Sequence, residues 1–476
     1  MIAKFNVREL ELIRILVVCG VLVVSTMLAY YVPFLVETNS RLLLFIIIGL
    51  SGLIGISIFI RVPPLGLIVL LISDLVLSFS LSTGSQTSLS VPILLIPVLT
   101  GIGVLTWLTY KHPLHIFDSR TTWPIFSLIV IVLLAVINGL LPWFDFAQQA
   151  PLTAQLGGAA LFIFSILTFL LVGTQIQEIR WLKWLVWIFL GLGSMYILSY
   201  FNSNLGNLFS RYFPSGVTGA LFWVWMVVLS FSQAVFNRKL KPTFRLILLG
   251  LACAALYVGL FRNIGWTSGW LPALVALLVV IWMRAPRIGI VLTILLGVGI
   301  ALFYKQFVGL VMVGDNTYSM ETRVAAWQIL TEMVKVSPIL GLGPSNYHFY
   351  TPLFPIMGYS VQFNSHNNYV DIVAQIGFLG LAAFLWFLWE TGRLGWRLRS
   401  IAPEGFERAY VYGAIGGLAG MIAAGMFGDW VIPFVYNIGY NGSRASLLGW
   451  LFLGGLIVLE RTHNKNTAPT SIVNSE

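Results

Sequence analysis

The sequence predicts an all-α polytopic membrane protein of about 12–14 transmembrane helices with one large outer loop containing short helices. Three observations predict it. Of 476 residues, 58% are hydrophobic and only 9% charged, against about 45–50% and about 25% in soluble domains. Mean hydropathy is +0.91. Apolar runs near the roughly 20 residues that a span needs recur along the whole chain. This composition excludes a soluble domain, a disordered chain and an ordinary nucleic-acid binder. The net charge of +10 reports topology before it reports ligands.

The first run follows Lys4, Arg8 and Arg14. It exceeds a signal-peptide core and lacks a small-residue cleavage site after it, so it reads as a retained span. Fourteen spans are expected near 13–35, 41–60, 64–81, 90–109, 122–142, 157–174, 181–200, 216–235, 244–261, 267–283, 287–304, 369–389, 408–431 and 445–460. The alternation of a β-barrel is absent, which leaves helices as the way to satisfy the backbone in lipid. With the N-terminus inside, only Arg41, Arg211, Arg262, Lys305, Arg323, Lys335 and Arg444 of the 27 Lys and Arg fall outside. Both termini are then cytoplasmic, in the cytoplasmic (inner) membrane. The expected division is 1–180 as N-terminal helices, 181–461 as a core including the outer loop 305–368, and 462–476 as a disordered cytoplasmic tail. Cys19 and Cys253 lie in apolar runs and read as small core residues.

The outer loop has its own pattern. Ser319 is a candidate N-cap with Glu321 in the first turn, and Pro338 ends the helix. Arg323, Trp327, Leu330 and Val334 share one face, which suits a helix lying on the membrane surface. The stretch Pro338-Ile339-Leu340-Gly341-Leu342-Gly343-Pro344 predicts a rigid turn. It lacks the Lys-Ser/Thr ending of a phosphate loop.

Outer arginines near span ends run against the positive-inside rule. Snorkelling explains any one of them, but a cluster of guanidiniums suits phosphate, since each fork binds two oxygens. Arg211, Arg262 and Arg323 are the candidates for such a cluster. Of the two outward-facing histidines, His348 and His366, His366 lies at the membrane boundary and is a candidate proton acceptor. Asp371, five residues on, is off its helical face and is not expected to orient it. Asp74 is the clearest charge within a span, and Asp429 lies near an outer end. Neither metal-ligand spacing nor a nucleotide loop occurs, so no metal and no cofactor is expected.

The run Arg323-x-x-x-Trp327, Pro338-x-x-Gly341-x-Gly343-Pro344-x-Asn346-Tyr347, Ser365-His366-Asn367-x-Tyr369 and Gly377-x-x-Gly380 resembles the O-antigen ligase and lipid-linked glycan polymerase family over about 321–390. The resemblance implies a GT-C-like membrane glycosyltransferase. It would move a glycan from a polyprenyl diphosphate carrier to an acceptor hydroxyl on the outer face, inverting and metal-independent, for cell-surface polysaccharide assembly. It implies His366 as the residue that activates the acceptor or assists its proton transfer. Arg211 would hold the diphosphate, and Arg323 matches the loop arginine. Where the family often has a Ser-Arg pair, this chain has Ser268-Gly269; Arg262, one loop earlier, is the candidate for that role. Arg444, Asn346, Asn367, Trp327 and Tyr369 are the expected substrate-binding residues. The expected partners are a polyprenyl diphosphate-linked glycan, a glycan, lipid or protein acceptor, and the bilayer, without nucleic acid. Alternatives are a flippase for the same lipid-linked glycan, a protein O-oligosaccharyltransferase, and a non-catalytic scaffold.

Overall fold

The computed structural model describes residues 52, 55–82, 88–110, 119–305 and 315–467. By its internal contacts the chain divides into Met1–Val62 and Pro63–Glu476. The expected spans at 13–35 and 41–60 belong to the first unit, and they and Cys19 fall almost wholly outside the described residues.

The larger unit is helical. In chain order it holds α1 (Pro63–Val76), a serine-rich hairpin of β1 (Ser80–Ser82) and β2 (Ser88–Ser90), α2 (Val91–Tyr110), α3 (Thr122–Asn138), α4 (Leu152–Gln175), α5 (Ile179–Ser199) and the short α6 (Ser203–Tyr212). Then come α7 (Ala220–Phe236), α8 (Pro242–Tyr257, continued by a π turn to Arg262), α9 (Thr267–Arg284), α10 (Pro286–Leu302), α11 (Asp315–Val334) and α12 (Tyr347–Tyr350). The last three are α13 (Asn368–Ile401), α14 (Phe406–Met426) and α15 (Gly439–Thr467). Eight of these are long and apolar enough to cross a membrane, and α1, α3, α7 and α10 are shorter apolar helices. Each corresponds to one of the twelve runs expected from residue 64 onward. The helix α15 continues to Thr467, so the tail expected from 462 is helical over its first residues.

The bundle is organised around α15, which is buried along its whole apolar length and runs beside α4, α7, α13 and α14. Apolar side chains gain little by association when lipid is the alternative, so close backbone approach must hold such helices together. The run Gly413, Gly416, Gly417, Gly420 on α14 provides it. A Cβ on Gly416 would meet Val280 at 2.4 Å, one on Gly420 would meet Val224 at 2.6 Å, and one on Gly417 would meet Trp225 at 2.4 Å. Cys253 is exposed on α8, so it faces outward rather than into the core as expected.

The connections gather at two ends. At one end Lys239 packs on Gly405, Arg397 pairs with Glu460, and Arg461 donates to the carbonyls of Gly173 and Ile176. At the other, Gly139 abuts Gly343 and Gly216 abuts Asn441. The Trp266 ring meets Trp430 there at 5.7 Å. That second end carries the long connection from α10 to α13.

Candidate functional site

The helix α11 begins at Asp315, about one turn before the expected cap at Ser319. Its apolar stripe faces protein rather than the expected membrane surface. Leu330, Met333 and Val334 pack with Leu342, Tyr347, Tyr350, Ala374 and Phe434. Each such side chain contributes roughly 1.5–3 kcal/mol on full burial. Toward its start the stripe ends in Trp327 and Arg323, both half-buried.

The Gly-Pro segment is a wedge against α13. Gly377 has φ +74° and breaks that helix, leaving backbone groups that need partners. The N–H groups of Leu342 and Gly343 donate to the carbonyls of Ala374 and Gln375, while Phe378 and Leu379 donate to those of Pro338 and Ile339. Gly341 (φ +68°) and Gly377 face each other so closely that a Cβ on Gly377 would lie 2.0 Å from the Ile339 carbonyl oxygen. Asn138 Nδ2 donates to the Gly341 carbonyl at 2.6 Å, and Ser345 N donates to Gln375 Oε1 at 2.9 Å. Asn346 is fully buried: its Nδ2 donates to the Gly139 and Leu342 carbonyls, and its Oδ1 accepts from Ala150 N. It is a structural hub with no surface left for substrate.

From this wedge the chain returns through a tight turn, with Met357 (φ +49°) and Gly358 (φ +88°) between the bridged Ile356 and Tyr359. It then reaches Ser365, which is held from both sides. Its carbonyl accepts from Trp327 Nε1 at 2.7 Å, and its Oγ lies 2.8 Å from Asp371 Oδ1. Tyr347 Oη donates to the same carboxylate oxygen at 2.6 Å. Asp371 therefore orients Ser365 and Tyr347 rather than His366. Asn367 caps α13 by accepting from Tyr369 N and Val370 N, the role that asparagine fills at helix starts. Tyr369 Oη donates to the Ile422 carbonyl at 2.8 Å. Trp327, Asn367 and Tyr369, expected to bind substrate, use these groups to position the loop.

His366 takes a left-handed conformation (φ +48°), with its N–H donating to Asn364 Oδ1 at 3.2 Å. Its ring opens on a cavity of about 250 Å³ lined by Thr322, Arg323, Ile356, Gln362, Phe363, Asn364 and His366. That is just under the ~300 Å³ where ligand pockets usually begin, enough for the reacting end of a large molecule. Burial, and then the Arg323 charge, push the His366 pKa down to about 4. The imidazole is thus neutral at physiological pH. Arg323 has its Nε shut off from solvent with no hydrogen-bond partner. Burial lowers its pKa and Asp429 works against that.

Asp429 and Asn437 belong to the connection between α14 and α15, and sequence reasoning assigned neither a role. Asn437 Nδ2 lies 3.3 Å from His366 Nδ1 and 2.5 Å from Asp429 Oδ1. Asp429 is 2% exposed, and its Oδ2 accepts from Phe434 N. Burial raises its pKa to about 6. An acid in an apolar stretch next to a span end was the available signal for Asp429; Asn437 had none.

The remaining arginines do not line this cavity. Arg211 is exposed in the last turn of α6 over the Tyr212 ring, at 5.6 Å. Arg262 is exposed at the end of the π turn. The Trp266–Trp430 contact and the packing of Gly216 on Asn441 put both at the His366 end of the bundle. Arg444 corrects the expectation of substrate binding. It is 1% exposed and donates to the carbonyls of Ser73, Asp74 and Leu77. These carbonyls lie at the C-terminal end of α1 and just beyond it, where a cation complements the helix dipole.

The cavity, its arginine and its histidine fall within residues 251–385, which match the family model described as O-antigen ligase. That stretch of the chain is similar to O-antigen ligases. The match runs from the second half of α8 to the middle of α13, and so includes Arg262, Arg323 and His366 but not Arg211, Asp429, Asn437 or Arg444. The O-antigen ligase family points to a membrane glycan ligase or polymerase, with a lipid-linked glycan and a glycan acceptor as partners. No curated protein matches the chain.

Proposed function

We propose that the protein is a glycosyltransferase of the cytoplasmic membrane. It transfers a glycan from a polyprenyl diphosphate carrier to an acceptor hydroxyl on the outer face, as a ligase or polymerase of cell-surface polysaccharide. The observation that carries this reading is the shared cavity of Arg323 and His366: a guanidinium with an unpartnered Nε beside an uncharged imidazole. A glycosyl diphosphate is already activated. The protein's task is to stabilise the oxygen that gains charge as the sugar departs, and a fixed guanidinium in a site of restricted solvent does so without reorganising. His366 lines the same cavity, beside the reacting groups. The apolar body keeps the carrier's tail in the bilayer while the reacting end enters the cavity. Arg211 and Arg262, at the same end of the bundle, are proposed to hold the diphosphate and its approach. Attack from the face opposite the leaving group inverts the anomeric centre.

The test is purified protein in lipid with a polyprenyl diphosphate glycan and an acceptor. Sugar should move to the acceptor in the presence of chelators. His366→Ala should abolish transfer at unchanged protein levels. Glycan that crosses the bilayer without transfer, or near-normal product from His366→Ala, overturns the reading.

A further inference from the structure

Two histidines of the long connection meet opposite hydrogen-bonding environments. His348 Nδ1 lies 3.0 Å from the Phe363 carbonyl oxygen. A carbonyl only accepts, so that nitrogen carries the ring proton. His366 Nδ1 instead lies 3.3 Å from Asn437 Nδ2. The orientation of that amide follows from its second contact, 2.5 Å from Asp429 Oδ1. An ionised carboxylate only accepts, so the Asn437 nitrogen must face it; the reversed amide would set oxygen against oxygen. That nitrogen has two hydrogens, one for the carboxylate and one for the imidazole. His366 Nδ1 is therefore an acceptor. In a neutral imidazole the single proton then resides on Nε2.

We infer that Asp429 and Asn437 lock His366 as the Nε2–H tautomer, so that it meets its ligand as a hydrogen-bond donor rather than as a base. This deepens the glycosyl-transfer reading and rests on it for its consequence. In that transfer the bond from the anomeric carbon to the diphosphate oxygen breaks, and its electron pair stays on that oxygen. A bond from the acceptor oxygen to the same carbon forms, and the acceptor loses its proton. Nε2 is already protonated and Nδ1 is engaged by Asn437, so His366 does not receive that proton. The proton leaves to solvent water, and the released diphosphate, whose oxygens have gained the charge, takes up a proton from solvent in turn. Arg323 and His366 both line the cavity, and as donors they then stabilise the leaving oxygen. Asn437 and Asp429 are positioning residues. The charged groups around the ring are Arg323 from α11, which faces it directly, and Asp429, which reaches it through Asn437.

The test is the ¹⁵N spectrum of protein labelled at histidine, in lipid nanodiscs at pH 7. The His366 signals are those lost in His366→Gln. The expected result is a protonated Nε2 and a bare Nδ1 for His366, with the reverse for His348 in the same spectrum. A protonated Nδ1 on His366 overturns the lock. Asn437→Asp replaces the donor with an acceptor. It should switch His366 to the Nδ1–H form and move its titration upward by a unit or more; an unchanged tautomer in the folded variant likewise overturns the lock. The wild-type spectrum decides alone if that variant does not fold. Failure of the two readings is separable. Protein with the Nε2–H form that transfers no glycan refutes the proposed function, while active protein with the Nδ1–H form refutes the lock.

Discussion

The wedge from Ser337 to Asn346 and the cavity behind His366 lie in one connection and are built on opposite principles. In the wedge, backbone donors and acceptors are matched between the loop and α13, and two positive-φ glycines meet backbone to backbone. In the cavity, a guanidinium nitrogen has no partner and an imidazole is held uncharged. Buried polar groups without partners are costly, and they persist where the surroundings fix them. The matched backbone makes the unmatched site possible. Tyr347 and Asp371 tie the wedge to Ser365, and Ser365 sets the position of His366.

Breaking the wedge should have the largest effect. Gly377→Ala combines a left-handed φ with a clash on the Ile339 oxygen. It should cost more than about 3 kcal/mol and be read as loss of monodisperse protein after extraction. The counterpart in the cavity is Arg323→Lys, which removes the planar fork but keeps the charge. Transfer should fall on the order of 10²–10³-fold, the cost of losing one preorganised donor, with the melting temperature unchanged. Equal loss of melting temperature in the two variants would erase the distinction between the regions. Tyr347→Phe, at the join, leaves the buried Asp371 short of one donor and should cost about 1–3 kcal/mol by denaturant titration.

The smallest effect is in pH. His366, lowered to about 4, favours the folded state while neutral, so it costs stability as pH falls from about 6.5 toward 4. Asp429, raised to about 6, acts oppositely: the folded state takes up its proton first and gains stability as pH falls from about 6 toward 4. The two offset in that window. Asp429→Asn removes one of them, and its melting temperature should drop more steeply between pH 6.5 and 4 than that of the wild type. Parallel curves would argue against a buried carboxylate at this place.

Much of the fold was legible because lipid imposes a simple rule: each of the twelve apolar helices described coincides with an expected apolar run, and the Gly-Pro punctuation marked the wedge. The site was legible in part. Arg323 and His366 were candidates from residue type and sidedness, and they line one cavity. Arg444 was misjudged because an arginine beside a span end has the same local sequence whether it faces water or caps another helix; the carbonyls it serves are about 370 residues away. Asn437 was invisible for the same reason, since its two partners come together only through the packing of α13 against the connection after α14. Exposure of Arg211 and Arg262 likewise depends on tertiary packing.

The break at Gly377 has a mechanical consequence. From Phe378 onward the helix rises about 1.5 Å per residue, and its last turns carry Glu390, Arg393, Arg397 and Arg399. The turns before the break are fastened to the wedge. A thicker or thinner bilayer tilts the longer segment, as mismatch tilts any span, while the imidazole stays with its own platform. Turnover should accordingly vary little across vesicles of graded acyl length, and a steep dependence would mean that the two segments move as one rod.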